Sequence, residues 1–171
     1  ETLRASGNIG LAFTYNEPLV GYEYVLDCAK MAKQSGLSVV LVTNGMINSD
    51  PWTKLLPYVD AANIDLKMFS REGYRSLGGD LDTVLESISI AAERIHVEVT
   101  TLIVPGLNDD ESMLRREAEW LAGESREIPL HLSRFFPRYR MQNAEPTPKE
   151  TVLRLAQAAR EFLTYVYEGN L

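Results

Sequence analysis

The sequence predicts a parallel α/β domain, an open or partial barrel of about six strands. Three observations carry that expectation. Five short apolar runs each end in a polar cluster. The runs recur roughly every 23 to 35 residues, and helical patterns fall between them, the rhythm of βαβ units. Within several runs polar and apolar residues alternate, which gives a strand one apolar face and one polar face. In parallel α/β proteins ligands bind at the edge formed by the carboxyl ends of the strands, so five polar clusters in such places imply one composite site.

Taken in order, residues 1–6 read as the tail of a helix. A first strand, 11–13, runs into Thr14-Tyr15-Asn16-Glu17-Pro18. Val25, Cys28, Ala29 and Ala32 then have the spacing of a buried helical stripe, with Gly36 as its stop. A second strand, 39–42, exits through Thr43-Asn44-Gly45, and a third, 61–64, through Asp65-Leu66-Lys67. Leu81, Val84, Leu85, Ile88 and Ala92 form the next stripe. The fourth strand, 97–104, leads into Pro105-Gly106-Leu107-Asn108-Asp109. Acids at 109–111 open a helix whose stripe is Met113, Leu114, Ala118 and Leu121, with Gly123 closing it. The fifth strand, 130–132, exits through Ser133 and Arg134. Thr147-Pro148-Lys149-Glu150 reads as a capping box with proline at the first helical position, and Val152, Leu155, Ala156 and Ala159 face inward behind it. A last strand is expected at 164–167. A start in mid-helix and a final strand without its helix predict a single domain, 1–171, truncated at the N-terminus by one βα unit and also at the C-terminus. The alternative architecture is a small complete doubly wound domain.

Composition narrows the function classes. The chain has 171 residues, 45% hydrophobic and 24% charged, enough for a sizeable core. No stretch is long and apolar enough for a membrane span. A net charge of −7 argues against broad binding to a nucleic-acid backbone. One cysteine, Cys28, excludes an internal disulfide framework and suits a reducing, cytoplasmic compartment. It also excludes a metal or iron–sulfur site built from several thiolates of these residues alone. A chain missing a strand exposes a sheet edge, so some self-association is expected.

The strands point to where chemistry sits. Asn63, Asp65 and Lys67 alternate with Ala62, Ile64 and Leu66; Glu98 and Thr100 with Val97, Val99 and Thr101; His131 and Ser133 with Leu130 and Leu132. A polar inner face is costly unless its groups are paired, solvated or filled by a polar ligand. Glu17 is either a carboxylate for a ligand ammonium or a helix-start acid. Asp65 and Lys67 point the same way and form a structural ion pair, a clamp for the two ends of a zwitterionic amino acid, or, through Lys67, a Schiff base. Thr43-Asn44-Gly45 is a site loop or a plain strand exit, and the 105–109 loop presents backbone N–H groups to a ligand or is an ordinary turn. His96 reads as structural and His131 as a satisfied interior histidine; neither has a partner at metal-ligand spacing. Arg134, Arg138 and Arg140 surround an aromatic segment, as an anion loop or a solvated surface. Cys28 reads as an inert core thiol. No catalytic residue is assigned.

The segments Gly10–Pro18, Val42–Gly45, Asn63–Lys67, Val97–Asp109 and Leu130–Pro137 together resemble the radical S-adenosylmethionine (SAM) enzymes. Within them the chain is most similar to the pyruvate formate-lyase activating enzyme-like group and, in that group, to AmmeMemoRadiSam system radical SAM proteins. The resemblance implies a partial (β/α)6 TIM-like barrel. It also implies a [4Fe–4S] cluster on a CxxxCxxC loop, where SAM is cleaved reductively to a 5′-deoxyadenosyl radical that abstracts hydrogen from a protein or small-molecule substrate. It places Asn16 and Glu17 at the motif that holds the SAM ammonium, and Thr43, Asn44, Asp65 and Lys67 at SAM-contacting positions. Pro105 and Gly106 fall near the adenine, and Ser133 and Arg134 at the site mouth. Two departures stand out. The cysteine loop is absent from these residues, so the cluster is expected in the full-length protein only. Val42 replaces an aspartate of the activating enzymes, and Arg134 to Phe136 replace a histidine-containing strand end. A Lys67 Schiff-base barrel and a non-catalytic binding domain are the competing readings.

Overall fold

A computed structural model of the protein describes residues 7–171; the helix tail expected for residues 1–6 lies outside the described residues. In chain order the elements are β1 (Gly10–Phe13), α1 (Tyr22–Gln34), β2 (Ser38–Thr43), α2 (Ser49–Leu55), β3 (Ala61–Asp65), α3 (Arg71–Ser76), α4 (Leu81–Ala92), β4 (His96–Ile103), α5 (Glu111–Glu124), β5 (Leu130–Arg134), α6 (Lys149–Ala159) and β6 (Val166–Gly169). The sheet has six strands in the order β1-β2-β3-β4-β5-β6, and the pairs β1–β2, β2–β3, β4–β5 and β5–β6 are parallel. That is the strand order of a partial (β/α)6 barrel. A doubly wound sheet reverses its order at a switch point, and this sheet does not.

The chain divides into two compact units. The first comprises the residues up to Ile64 with Thr83–Val97; the second comprises Asp65–Asp82 with Glu98–Leu171. In the first unit, Gly10 pairs with Ser38 so closely that a Cβ would lie 2.6 Å from the Ser38 carbonyl oxygen, which restricts the position to glycine. Val25, Ala29 and Ala32 are buried along α1, and Val39, Leu41 and Thr43 along β2. Cys28 is only half-buried, beside this stripe rather than in the core. Trp52 of α2 is fully buried, and its indole N–H donates to the Ser87 carbonyl at 2.9 Å. The Asp60 carboxylate accepts from Lys33 Nζ and from the Val39 N–H, and these two bonds hold it below the usual carboxylate range. The buried stripe of α4 is Leu81, Val84, Ser87, Ile88 and Ala91, where Leu85 and Ala92 were expected to join it. The turn of 3.6 residues per repeat brings 81, 84, 88 and 91 into line.

In the second unit, β4 pairs with β5 from Val99↔Leu130 to Ile103↔Arg134, and β5 with β6 from Leu130↔Val166 to Ser133↔Gly169. β6 starts two residues later than expected, because Thr164 is tied upstream: its N–H donates to the Arg126 carbonyl and its hydroxyl to Glu127. α5 is capped by Asp110, whose carboxylate accepts from the Met113 N–H at 2.8 Å; it runs past Gly123 to Glu124. Its buried stripe is Leu114, Glu117, Ala118 and Leu121, with Glu117 in place of the expected Met113. α6 begins after Pro148 without a side-chain cap, a correction to the capping box. Thr147 is instead fully buried: its hydroxyl donates to the Ile103 carbonyl at 2.6 Å and accepts from the Phe135 N–H at 3.3 Å, joining β4 to the segment after β5. The expected inward face of α6 is buried throughout. No helix among the described residues is long and apolar enough to cross a membrane.

Candidate functional site

The polar cluster of the first unit is built on a turn. Tyr15 and Asn16 both have left-handed backbones, with φ of 64° and 51°, an uncommon conformation for two successive non-glycine residues. The chain then extends through Glu17, which starts the short 3₁₀ turn Pro18–Gly21. Glu17 Oε1 accepts from the Leu19 N–H at 3.0 Å and from the Thr43 hydroxyl at 2.7 Å, and Oε2 accepts from the Asn44 N–H at 2.7 Å. The helix-start role is therefore present, and the same carboxylate brackets the exit of β2. Thr43 is buried and its oxygen also accepts from the Gly45 N–H; the Asn44 side-chain carbonyl accepts from the Met46 N–H. Gly45 has φ of 71°, and its carbonyl accepts from the Ser87 hydroxyl of α4 at 2.8 Å. Asn16 is exposed.

The second unit holds the Asp65–Lys67 pair. Lys67 Nζ lies 2.6 Å from Asp65 Oδ2, and the two side chains remain 42% and 31% exposed. β3 ends at Asp65, yet the alternation continues beyond it, with Leu66 and Met68 buried on one side and Lys67 half-buried on the other. Buried polar groups hold this backbone. The Tyr74 hydroxyl accepts from the Lys67 N–H at 3.0 Å. Burial pushes that phenol up to about 12, and nearby Glu117 and Asp65 add to the shift against the pull of the Lys67 N–H. The Leu66 N–H donates to the Thr100 carbonyl, and the Leu66 carbonyl faces the Thr101 hydroxyl at 2.9 Å. Asn108 is buried; its amide nitrogen donates to the Lys67 and Leu102 carbonyls, each at 2.8 Å, and its oxygen accepts from the Val104 N–H at 2.7 Å. Asn108 reads in the sequence as part of a helix start; it is a clamp between the Lys67 segment and the end of β4. Glu117 did not emerge from the sequence, although its place three residues after Leu114 put it on the buried stripe.

The remaining candidates vary. The Gly106 N–H is taken by Asp109 Oδ1 at 2.9 Å, and the N–H groups of Leu107 and Asn108 point to the Val104 carbonyl, so this loop is closed on itself beside half-buried Pro105. Ser133 is half-buried and faces Gly169, where a Cβ would lie 2.9 Å from its hydroxyl oxygen. Arg134 donates to the Thr147 carbonyl and lies over the Phe136 ring at 4.7 Å. His131 Nε2 is 2.9 Å from Glu98 Oε2, and its ring stacks on Tyr167 at 5.3 Å, so this histidine is paired, as expected.

The strand order is that of parallel α/β domains whose ligands bind at the carboxyl ends of the strands. The radical SAM superfamily matches residues 2–118, and the chain belongs to that superfamily. An uncharacterized protein of Methanocaldococcus jannaschii is 42% identical over 166 residues, covering 95% of this chain and 49% of that protein. Pyruvate formate-lyase 1-activating enzyme of Escherichia coli K12 is 25% identical over 168 residues, covering 90% of this chain and 68% of that enzyme. The crystal structure of a domain of pyruvate-formate lyase-activating enzyme from Bacteroides vulgatus superposes with a TM-score of 0.80 at 20% identity, over 94% of this chain and 99% of that one. The chain thus spans about half the length of the first of these relatives.

The residues present do not fit an iron–sulfur cluster. Such clusters are held by several thiolates, and the chain has one, in α1 beside Tyr24. Among the described residues no three His, Cys, Asp or Glu side chains are grouped to hold a metal ion. They do fit the amino-acid end of SAM: a carboxylate for its ammonium and a lysine for its carboxylate stand together, half-exposed, on a backbone fixed by buried hydrogen bonds.

Proposed function

We propose that this protein is a SAM-binding radical SAM enzyme of the pyruvate formate-lyase activating enzyme-like group, nearest to the AmmeMemoRadiSam branch. Asp65 receives the ammonium, a role that the resemblance gives to the Asn16–Glu17 motif, and Lys67 the carboxylate of the methionyl end. The observation that supports this most is the half-exposed Asp65–Lys67 ion pair held from below by Tyr74, Thr101 and Asn108. Ser133, Arg134, Pro105 and Gly106 of the second unit, and Asn16, Glu17, Thr43 and Asn44 of the first, enter on the resemblance alone. The cofactor, when bound, supplies a 5′-deoxyadenosyl radical for hydrogen abstraction, and the protein supplies binding and orientation. Ligands for its cluster belong to sequence of the full-length protein other than these residues.

Calorimetric titration of the full-length protein with SAM tests this. Loss of a charge-assisted contact is worth about 1.5–3 kcal/mol, so Lys67→Ala is expected to weaken binding roughly ten- to a hundredfold. Lys67→Arg keeps part of the affinity. Wild-type affinity in both Lys67→Ala and Asp65→Ala would sink the assignment.

A further inference from the structure

One buried ionisable group has no part in the site described so far. Glu117, on the inner stripe of α5, is 1% exposed. Its Oε1 lies 2.6 Å from Thr101 Oγ1, and the same hydroxyl oxygen lies 2.9 Å from the Leu66 carbonyl oxygen. A threonine hydroxyl has one proton to donate. With Glu117 ionised, both neighbours are acceptors and one of them faces a bare oxygen at hydrogen-bond distance in a dry interior. With Glu117 protonated, both contacts are satisfied: the acid O–H donates to Thr101, and Thr101 donates to Leu66.

We propose that Glu117 is a neutral carboxylic acid that, through Thr101, positions the Asp65-Leu66-Lys67 segment. The Leu66 peptide lies between the two charged residues. Its N–H is fixed by the Thr100 carbonyl, and its carbonyl by Thr101. Burial acts in the same direction, raising the Glu117 carboxyl to about 8 against the hydrogen bond with Thr101. The titratable groups around it are compatible. Tyr74 of α3 is neutral over this range, with its phenol pushed up to about 12, and Asp65 is paired with Lys67. On α5 itself Glu111 and Arg115 are paired at the surface with Arg154 and Glu161, and α6 presents Val152, Leu155, Ala156 and Ala159 as its buried face. Ionisation of Glu117 above its midpoint takes the proton out of the relay and loosens the Leu66 carbonyl. The consequence for ligand binding rests on the reading that Asp65 and Lys67 bind SAM; the protonation state does not.

Solution NMR of the full-length protein tests the inference without SAM. The backbone carbonyl resonances of Leu66 and Lys67 are expected to shift together as pH rises from about 6 to about 9, with one midpoint near 8. In Glu117→Gln, whose carboxamide donates to Thr101 without titrating, they are expected to stay fixed. Flat Leu66 and Lys67 resonances in the wild type overturn the inference, and so does the same titration in Glu117→Gln. Should the variant not fold, infrared spectroscopy of the wild type decides: a carboxylic-acid carbonyl stretch at neutral pH that vanishes with that midpoint supports the neutral acid, and absence of the band overturns it. SAM affinity is then expected to fall several-fold on alkalinisation in the wild type relative to Glu117→Gln. A protein that shows the titration but binds no SAM at any pH keeps the protonated acid and refutes the SAM assignment.

Discussion

Asn108 satisfies three backbone groups with one buried amide, and no other residue type has both the donors and the acceptor at that reach. Asn108→Ala leaves the Lys67 and Leu102 carbonyls and the Val104 N–H to find water. We expect a loss of about 2–4 kcal/mol, seen as a lower urea midpoint at unchanged slope. A loss under about 0.5 kcal/mol would show that the clamp is dispensable. Glu117 adds a pH dependence of its own. Its folded-state value, about 8, lies above the reference 4.5, so the folded state takes up the proton first. The stability it contributes is fully present below 4.5 and is lost as pH rises through about 8. Wild-type stability should therefore decline relative to Glu117→Gln by roughly 1.4 kcal/mol per pH unit inside that window. Parallel stability curves for the two proteins would contradict it. Neither residue was legible as a clamp. Asn108 has the look of a helix start because asparagine serves both roles, and the spacing of Glu117 marks it as buried only if a carboxylate is admitted to a core stripe.

The strands were legible because alternation reports burial directly. Ala62, Ile64 and Leu66 are buried and Asn63, Asp65 and Lys67 half-buried, as their period requires. Helix ends were less legible, because a cap depends on where neighbouring elements place unpaired groups. Thr147 has the sequence of a cap and is drawn instead to the Ile103 carbonyl. The β2 exit shows the same dependence on a neighbour. Gly45 in isolation is a residue free to take a positive φ, yet its environment is set by α4, whose Ser87 hydroxyl holds the Gly45 carbonyl. A Cβ there would lie 2.9 Å from Ile64 Cγ2, so Gly45→Ala is expected to cost about 1–3 kcal/mol in strain. Ser87→Ala is expected to cost about 0.5–1.5 kcal/mol by removing one of two donors to the Gly45 carbonyl, the Ile47 N–H remaining at 2.9 Å. The two residues share one contact, so the double variant should lose less than the sum. Thermal unfolding of the four proteins measures this, and strict additivity would mean that α4 does not hold the exit through Ser87.

For the whole molecule, strand order and superfamily were legible from motifs spread along the chain, whereas its division into two compact units was not, because no linker or composition shift marks the boundary. The half-exposed Asp65–Lys67 ion pair is present in these residues, and several thiolate ligands for a cluster are not. Cys28 is the residue on which this separation can be tested. It sits in α1, half-buried, on a helix whose neighbouring turns offer no second thiol, and a cluster cannot be built on one sulfur. Cys28→Ser in the full-length protein is therefore expected to leave iron and sulfide content, the broad visible absorbance of the cluster and SAM binding unchanged after anaerobic reconstitution. The 171-residue chain alone, treated in the same way, is expected to develop no such absorbance. If Cys28→Ser lost the cluster, the assignment of its ligands to sequence other than these residues would be wrong, and α1 would have to be counted as part of the metal centre.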